Sequence, residues 1–245
     1  MKTINFLSIL LFLAVPNISH AQSSCPQSSK SIHLQAGDIQ SACQAATTKC
    51  SSSDNQKSLT PIPLENPSPT SSLIWKKSGE VFDTFYDVPA YSNTPGGKFQ
   101  CTELVHRFMN KVYGIPTKIG IGLGHAEVLS KNMTDRFKKQ VIQSPYLQNK
   151  PARLAYIENK CSSSAPVVGS MISLQYTKWG HVGIVRDVKV IDENQIQITL
   201  FEQHGVASYQ PGQKKPSTQI VLKKDSSGRW SGPNVIGWIN VVANQ

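Results

Sequence analysis

One stretch of the chain cannot form a packed core, and it divides the sequence into two parts. Between residues 51 and 72, Ser, Thr and Pro occupy 13 of 22 positions. Such a stretch has too little apolar surface to offset the conformational entropy lost on folding. We therefore predict a cysteine-containing N-terminal appendage and linker at residues 22–72, followed by one folded domain at residues 73–245. At 39% hydrophobic and 16% charged residues, the chain as a whole has the composition of a globular protein.

Residues 1–21 have the features of a secretory signal peptide. A basic start at Lys2 precedes the apolar run from Ile4 to Val15, and Ser19 and Ala21 are small residues at the positions that a signal peptidase reads. A transmembrane anchor is the alternative, but this run is shorter than the ~20 apolar residues that a spanning helix needs. We therefore expect an exported protein, periplasmic or secreted, without a membrane anchor.

Helical patterns come before strand patterns in the predicted domain. A turn at residues 95–97 is followed by apolar residues at helical spacing, and Gly114 with Pro116 supplies a stop. Short runs with strand character come later. This order predicts an α+β fold, with helices packed on an antiparallel sheet, rather than helices alternating with parallel strands. The predicted helix face consists of Cys101, Leu104, Val105, Phe108 and Val112, and the predicted strands are residues 167–174, 181–191, 195–202, 219–222 and 235–242.

An excess of basic residues favours anionic partners. The formal net charge is +10, and residues 22–72 are neutral, so the excess lies almost entirely in the predicted domain. Cell-wall polymers, acidic membranes and nucleic acids all attract such a charge. Because the basic residues are scattered and no recognition motif occurs, we expect no nucleic-acid partner.

Cys101 is the cysteine whose position favours chemistry. It opens the predicted helix directly after a glycine-bearing turn, where free backbone N–H groups and the helix dipole stabilise a thiolate. The alternative is a small buried hydrophobe on an apolar helix face, which is the commoner role of a lone cysteine. Position alone does not decide between the two.

A histidine and a carboxylate at two later strand ends favour the chemical interpretation. His181 lies at the mouth of a predicted strand, where an imidazole can act as a general base. A turn at residues 192–194 folds the next strand back, so that Glu202 ends close to His181. Glu202 shares strand parity with apolar residues, and a carboxylate that faces the interior needs a partner. A solvated charge at the strand end is the alternative for Glu202.

The other histidines are weaker candidates. His106 lies about 140° around the helix axis from Cys101 and so faces away from the thiol. His33 lies in the appendage, and His125 and His204 are second-choice bases or substrate contacts. No spacing of cysteines and histidines is typical of a zinc site.

Taken together, these segments resemble the CHAP family, the cysteine, histidine-dependent amidohydrolases/peptidases, papain-like enzymes that mostly cut bacterial cell-wall peptides. The resemblance covers about Val88 to Val242. Any one segment alone is weak evidence for the family, whereas the set in this order is strong evidence. Two positions depart from the family pattern, since Ser170 stands where an acid is common and His204 where an asparagine is common. The segments, in family order, are Val88–Asn93, Phe99–Val105, Gly124–Ala126, Pro166–Met171, Gly180–Val182 and Glu202–Gln203.

The resemblance implies a papain-like α+β fold and a cysteine amidase or peptidase that acts on peptidoglycan or its peptide fragments. It implies that Cys101 is the nucleophile, His181 the base and Glu202 the residue that orients the imidazole. It implies neither a metal nor another cofactor. Further candidates for oxyanion or substrate contacts are Gln100, Trp179, Tyr91, Asn93 and Gln203.

Two other functions stay open at this point. Residues 100–104, Gln-Cys-Thr-Glu-Leu, also resemble the amidase half of enzymes that hydrolyse glutathionylspermidine, although the predicted export argues against that substrate. The chain could also be a non-catalytic wall-binding module, although the intact set of Cys101, His181 and Glu202 argues against it. Residues 22–72 have no family counterpart that we can name, and they could inhibit, anchor or bind a protein partner.

Four cysteines remain when Cys101 is kept reduced for chemistry, and in an oxidising compartment they predict two disulfides. In one unbroken helix, Cys43 and Cys50 would be about 10.5 Å apart, beyond the ~7 Å limit for a bridge. They would then pair with Cys25 and Cys161, so that one bridge ties the appendage to the folded domain.

Overall fold

The computed structural model describes residues 50, 59–65, 74, 76–92, 100–147, 150–176, 178–203, 211–212, 214 and 217–244. The predictions made for the signal peptide, for Cys25 and Cys43, and for Asn93 and His204 fall outside these residues. Among the described helices, none combines the length and the apolar character needed to cross a membrane.

The helix that begins at Cys101 forms as the periodicity predicts. Helix α1 spans Cys101–Tyr113, and its predicted apolar face is buried. It ends at Gly114, whose φ of 67° is the left-handed conformation that glycine adopts most readily. A second helix, α2, spans Ala126–Phe137 and packs its own apolar face into the same core. A short 3₁₀ turn follows at Pro145–Leu147.

The described strands form two antiparallel sheets. The smaller one is a hairpin, in which β1 (Val81–Phe85) pairs with β2 (Val88–Tyr91). The larger one has seven strands in the order β3-β9-β4-β5-β6-β7-β8 and is curled. The α+β fold with helices on an antiparallel sheet is therefore confirmed. Its strands are β3 (Ala152–Glu158), β4 (Met171–Leu174), β5 (His181–Asp192), β6 (Gln195–Phe201), β7 (Gln219–Lys224), β8 (Trp230–Ser231) and β9 (Val235–Ala243).

The strands differ from the sequence-based prediction in four places. The β1–β2 hairpin precedes α1, so helices do not come first, and neither of the two edge strands, β3 and β8, was predicted. The strand expected from residue 167 begins only at Met171. Residues 167–170 turn instead, because Gly169 has a φ of 91° and the Tyr113 hydroxyl donates a hydrogen bond to its carbonyl at 3.1 Å. A Cβ at Gly169 would lie 2.3 Å from that hydroxyl, so this turn needs glycine.

Two apolar clusters lie on the two faces of the large sheet. One fills the space between the sheet, the hairpin and the two helices, and the other lines the opposite face of the curled sheet. The first includes Phe85, Leu104, Phe108, Ile184 and Phe201, and the second includes Ile172, Ile198, Leu222 and Trp238. The helix that carries Cys101 is thus held against the sheet by burial of large side chains, which is the main source of its stability.

Residues on the N-terminal side of the hairpin also pack on the domain. The Ile62 N–H donates to the Val241 carbonyl at 2.8 Å, and Leu64 is buried in the cluster beside the helices. Cys161 forms a disulfide with Cys50. This bond is consistent with the predicted bridge between the appendage and the domain, and it closes a sequence separation of 111 residues.

Candidate active site

Cys101 is the first residue of α1, and its sulfur meets two backbone donors. The residue before it, Gln100, is the N-cap and has an extended backbone with φ −108° and ψ 165°. The thiol is free and buried. The backbone N–H groups of Thr102 and Val182 donate hydrogen bonds to the sulfur. One donor therefore comes from the helix start and the other from β5.

His181 is the first residue of β5, where the pairing of β5 with β4 places it opposite Leu174. Its side chain is buried and hydrogen bonded to the Cys101 thiol. Its Nε2 lies 2.6 Å from Oε2 of Glu202. Because Nε2 is engaged in this way, Nδ1 is the ring nitrogen left for the thiol. The imidazole therefore lies between a sulfur and a carboxylate.

Glu202 follows the last residue of β6 and is 2% exposed, which agrees with the inward orientation inferred from strand parity. Its second oxygen, Oε1, accepts hydrogen bonds from the Thr218 hydroxyl at 2.6 Å and from the Thr218 N–H at 3.2 Å. Hydrogen bonds to both oxygens offset the loss of hydration that a buried carboxylate suffers. They also hold the carboxylate plane toward His181.

The contacts between Cys101 and His181 shift both pKa values toward an ion pair. Burial acts to raise the pKa of the Cys101 thiol, but the hydrogen bond and charge of His181, with the two backbone donors, outweigh burial and lower it. Burial acts to lower the pKa of His181, but its hydrogen bonds to Cys101 and Glu202 and their charges raise it to about 9. A thiolate facing an imidazolium is therefore favoured over a neutral pair.

Trp179 and Gly180 directly precede His181 in the chain. Gly180 has a φ of 69°, and a Cβ there would lie 2.6 Å from the backbone nitrogen of Glu127. The space that this glycine leaves is thus occupied by the start of α2. Trp179 is 52% exposed, and its ring centroid is 4.4 Å from that of His125. The two rings form an exposed aromatic pair, and Trp179 lies two positions before His181 in the sequence.

The other predicted contact residues occupy different environments. The backbone of Gln100 lies directly before the sulfur, and its side chain is exposed. Gln203 is 0% exposed, and both ends of its amide are hydrogen bonded within the protein. A substrate contact by Gln203 would require its side chain to leave these partners. Tyr91 is half-buried, and the guanidinium of Arg107 lies 4.9 Å from its ring centroid.

A cavity of about 1010 Å³ lies on the side of α1 away from the thiol. Tyr91 and Arg107 line it, together with His106, whose Nδ1 is 2.6 Å from the Thr117 hydroxyl. The helical angle between His106 and Cys101 anticipates this separation. In the part of the chain that the structure describes, no group of three His, Cys, Asp or Glu side chains is arranged to hold a metal ion.

Sequence reasoning missed three residues that support the site, namely Thr218, Glu103 and Arg107. Glu103 and Arg107 form an ion pair at i and i+4 on α1, a spacing that was readable in the sequence. Thr218 gave no such signal, because nothing in the sequence relates a threonine ahead of β7 to a carboxylate 16 residues earlier. Ser170, which departs from the family pattern, is buried and donates to Asn240 at 2.7 Å. The serine at this position therefore contributes a buried hydrogen bond to the packing of the domain.

Comparison with known protein families gives a match to part of the chain. The family model of the CHAP domain matches residues 90–204. This range begins in β2 and ends just after β6, and so it contains Cys101, His181 and Glu202. No curated protein is similar enough to the chain to count as a match.

Proposed function

We propose that the protein is an exported cysteine hydrolase that cleaves amide bonds of peptidoglycan peptides. The match of residues 90–204 to the CHAP domain supports this proposal, because that family implies amidase or peptidase activity of the peptidoglycan-hydrolase type. The observation that carries the proposal is the buried series of contacts from the Cys101 thiol through His181 to Glu202. In the proposal these residues are the nucleophile, the base and the residue that orients the base.

The first chemical step is acylation of Cys101. The thiol proton resides on His181, and the thiolate attacks the carbonyl carbon of the amide, forming a C–S bond and a tetrahedral oxyanion. His181 then gives its proton to the leaving amine nitrogen as the C–N bond breaks. A raised His181 pKa suits this role, because the imidazole holds a proton ready for the amine.

The second step is deacylation. Neutral His181 takes a proton from a water molecule, which attacks the thioester carbonyl and releases the carboxylic acid and the thiolate. Glu202 keeps its hydrogen bond to Nε2 throughout, so the imidazole presents Nδ1 to the sulfur and to the water. No group besides those of the protein and water is needed for the atoms and charges to balance.

The oxyanion needs donors directed at the position where charge develops. The Cys101 backbone N–H at the start of α1 is one candidate, and the side chain of Gln100 is a second. Removing one such donor typically slows an acyl-transfer enzyme by about 10²- to 10³-fold. The exposed pair of Trp179 and His125 is a candidate wall for the substrate, because Trp179 lies two residues before His181 in the sequence.

Charge and compartment support peptidoglycan as the substrate class. The formal net charge is +10, or +9 once the predicted signal peptide with Lys2 is removed, and it attracts the protein to an anionic envelope, an attraction that salt weakens. The disulfide between Cys50 and Cys161 is of a kind that persists in oxidising compartments. The predicted signal peptide at residues 1–21 supports export in the same way.

The test compares the purified protein with its Cys101→Ala variant on isolated sacculi and on glutathionylspermidine, with products identified by mass spectrometry. We expect new peptide fragments or amine ends from sacculi with the unmodified protein alone, and the fragment masses identify the bond. Both proteins should show the same thermal unfolding. Turnover of glutathionylspermidine alone would favour the small-conjugate amidase, and inertness toward both substrates would favour a binding module; either result overturns the proposal.

A further inference from the structure

The residue after Glu202 joins three elements around the start of α1. Gln203 Oε1 accepts hydrogen bonds from the Tyr91 N–H at 2.8 Å and from Arg107 Nη2 at 3.1 Å. Its Nε2 donates to the Gln100 carbonyl at 3.1 Å and to Glu103 Oε2 at 2.9 Å. One side chain thus connects the end of β6, the end of β2 and the first turn of α1.

These four bonds use the full hydrogen-bonding capacity of the amide. A primary amide has two N–H donors and an oxygen with two lone pairs, and in Gln203 each finds a partner. The partners also define which end is oxygen, since the oxygen faces two donors and the nitrogen faces two acceptors. A fully satisfied buried amide holds one orientation, because any rotation would leave a polar group unpaired.

The partners of Gln203 are themselves held in place. Arg107 binds both carboxylate oxygens of Glu103, donates to the Pro89 carbonyl at 2.6 Å and lies over the Tyr91 ring. The charge of Glu103 is therefore balanced by Arg107, and Gln203 itself carries no charge. The network consequently acts on the site through geometry rather than by adding a charge next to it.

Gln203 connects the segment that carries Glu202 with the segment that carries the nucleophile Cys101. It follows Glu202 directly, and it binds the carbonyl of Gln100, the residue directly before Cys101. The two ends of this link are 103 residues apart in the sequence. The distance from the sulfur to the imidazole therefore depends on how firmly the helix start is joined to the end of β6.

We infer that Gln203 is a positioning residue that, through Gln100 and Glu103, holds Cys101 at hydrogen-bonding distance from His181. The inference rests on the proposed function, and it assigns Gln203 a different role from that of a substrate contact. If the link is broken, the helix start relaxes, the Cys101–His181 hydrogen bond lengthens, and less thiolate forms at low pH.

The test measures the rate at which iodoacetamide alkylates Cys101 between pH 5 and 10, with the modified peptide identified by mass spectrometry. In this reaction the thiolate displaces iodide, so the rate reports the fraction of ionised sulfur and needs no substrate. The Gln203→Met variant keeps the length of the side chain and removes all four hydrogen bonds. The matched control is Gln197→Met, because Gln197 lies on β6, the strand that leads to Gln203, and bonds at the surface to Gln219.

In the Gln203→Met variant, we expect the alkylation rate to begin its increase at a pH about one unit higher than in the unmodified protein. The reaction at pH 6 should therefore be about tenfold slower. The Gln197→Met profile should match that of the unmodified protein. In turnover of the substrate, kcat should fall while KM stays unchanged. A Gln203→Met profile that superimposes on the unmodified one, or a raised KM with normal kcat, overturns the positioning role.

If the methionine variant does not fold, the same alkylation profile is measured on Gln203→Asn. Asparagine keeps the neutral amide but is shorter by one methylene, so it cannot span both elements, and its profile should shift in the same direction by a smaller amount. An unshifted asparagine profile overturns the inference. If the unmodified protein itself alkylates like a free thiol, the proposed nucleophile fails as well, and this result is distinguishable because it appears without any substitution.

Discussion

Glu202 and Gln203 are neighbours in the chain, yet their side chains serve two different networks. Glu202 binds His181 and Thr218, and it belongs to a group in which protons and charge are shared with Cys101. Gln203 is uncharged and binds the elements around the start of α1 through four hydrogen bonds, and its two charged partners, Arg107 and Glu103, are paired with each other. Both residues are buried to about the same degree.

Burial alone therefore does not distinguish a residue of the proposed chemistry from a residue that supports the site. What distinguishes the two residues is the balance of charge among their partners. The pKa of His181, beside Glu202, is raised, and that of Cys101 is lowered. Beside Gln203, Glu103 and Arg107 form an ion pair. Displaced pKa values are typical of groups that transfer protons.

The largest effect is expected from Glu202→Gln, which tests the chemical side of this comparison. The substitution keeps an acceptor for Thr218 but removes the charge beside His181, so the pKa of the imidazole should fall from about 9. We expect kcat to drop on the order of 10²- to 10⁴-fold, as when the carboxylate of a hydrolase triad is neutralised. Steady-state kinetics on the substrate checks this, and a loss below threefold would place Glu202 with the supporting residues.

A pH profile of the unmodified protein also tests the network of Cys101, His181 and Glu202. The active pair is a thiolate with an imidazolium, so activity should rise as pH increases through the lowered pKa of Cys101 and fall as pH increases through about 9, where His181 loses its proton. The rate should change about tenfold per pH unit outside these limits. A plateau that continues to pH 10.5 would contradict the proton assignment, and in Glu202→Gln the upper limb should move to lower pH.

A smaller effect is expected from Arg107→Lys, which tests the supporting side. Lysine keeps the positive charge, but its single ammonium cannot reach Glu103, Gln203 and the Pro89 carbonyl together. We expect a loss of about 1–3 kcal/mol in the free energy of unfolding and a decrease in kcat of less than tenfold. Urea unfolding and kinetics at one pH measure both. A decrease as large as that of Glu202→Gln would remove the distinction between the networks.

No effect on kcat is expected from Cys50→Ser, because the disulfide is not part of either network. The disulfide with Cys161 spans 111 residues of sequence, so its removal should lower the free energy of unfolding by about 2–4 kcal/mol. Chemical denaturation of the unmodified protein and the variant without reductant measures this, and reductant should remove the difference between them. A changed kcat at 25 °C would connect the N-terminal segment to the site.

Much of the fold could be predicted because its signals are local. The 3.6-residue periodicity of α1 and the stop at Gly114 agree with the structure, and so do most of the strands after residue 180. The β1–β2 hairpin and the edge strands β3 and β8 were missed, and residues 167–170 were assigned to a strand although they form a turn. That turn depends on contact with Tyr113, a residue distant in the sequence, and no local pattern reports such a contact.

By itself, the sequence determined which residue types stand at the start of a helix and at the ends of two strands, because helical and strand periods are set by neighbouring residues. Only the tertiary structure decided that Cys101 and His181 share a hydrogen bond, that Thr218 supports Glu202, and that Gln203 is directed into the protein. Each of these contacts joins separate elements, and their distances follow from how the curled sheet and α1 pack together. Packing of that kind depends on the whole core, so it becomes visible only when the chain is folded.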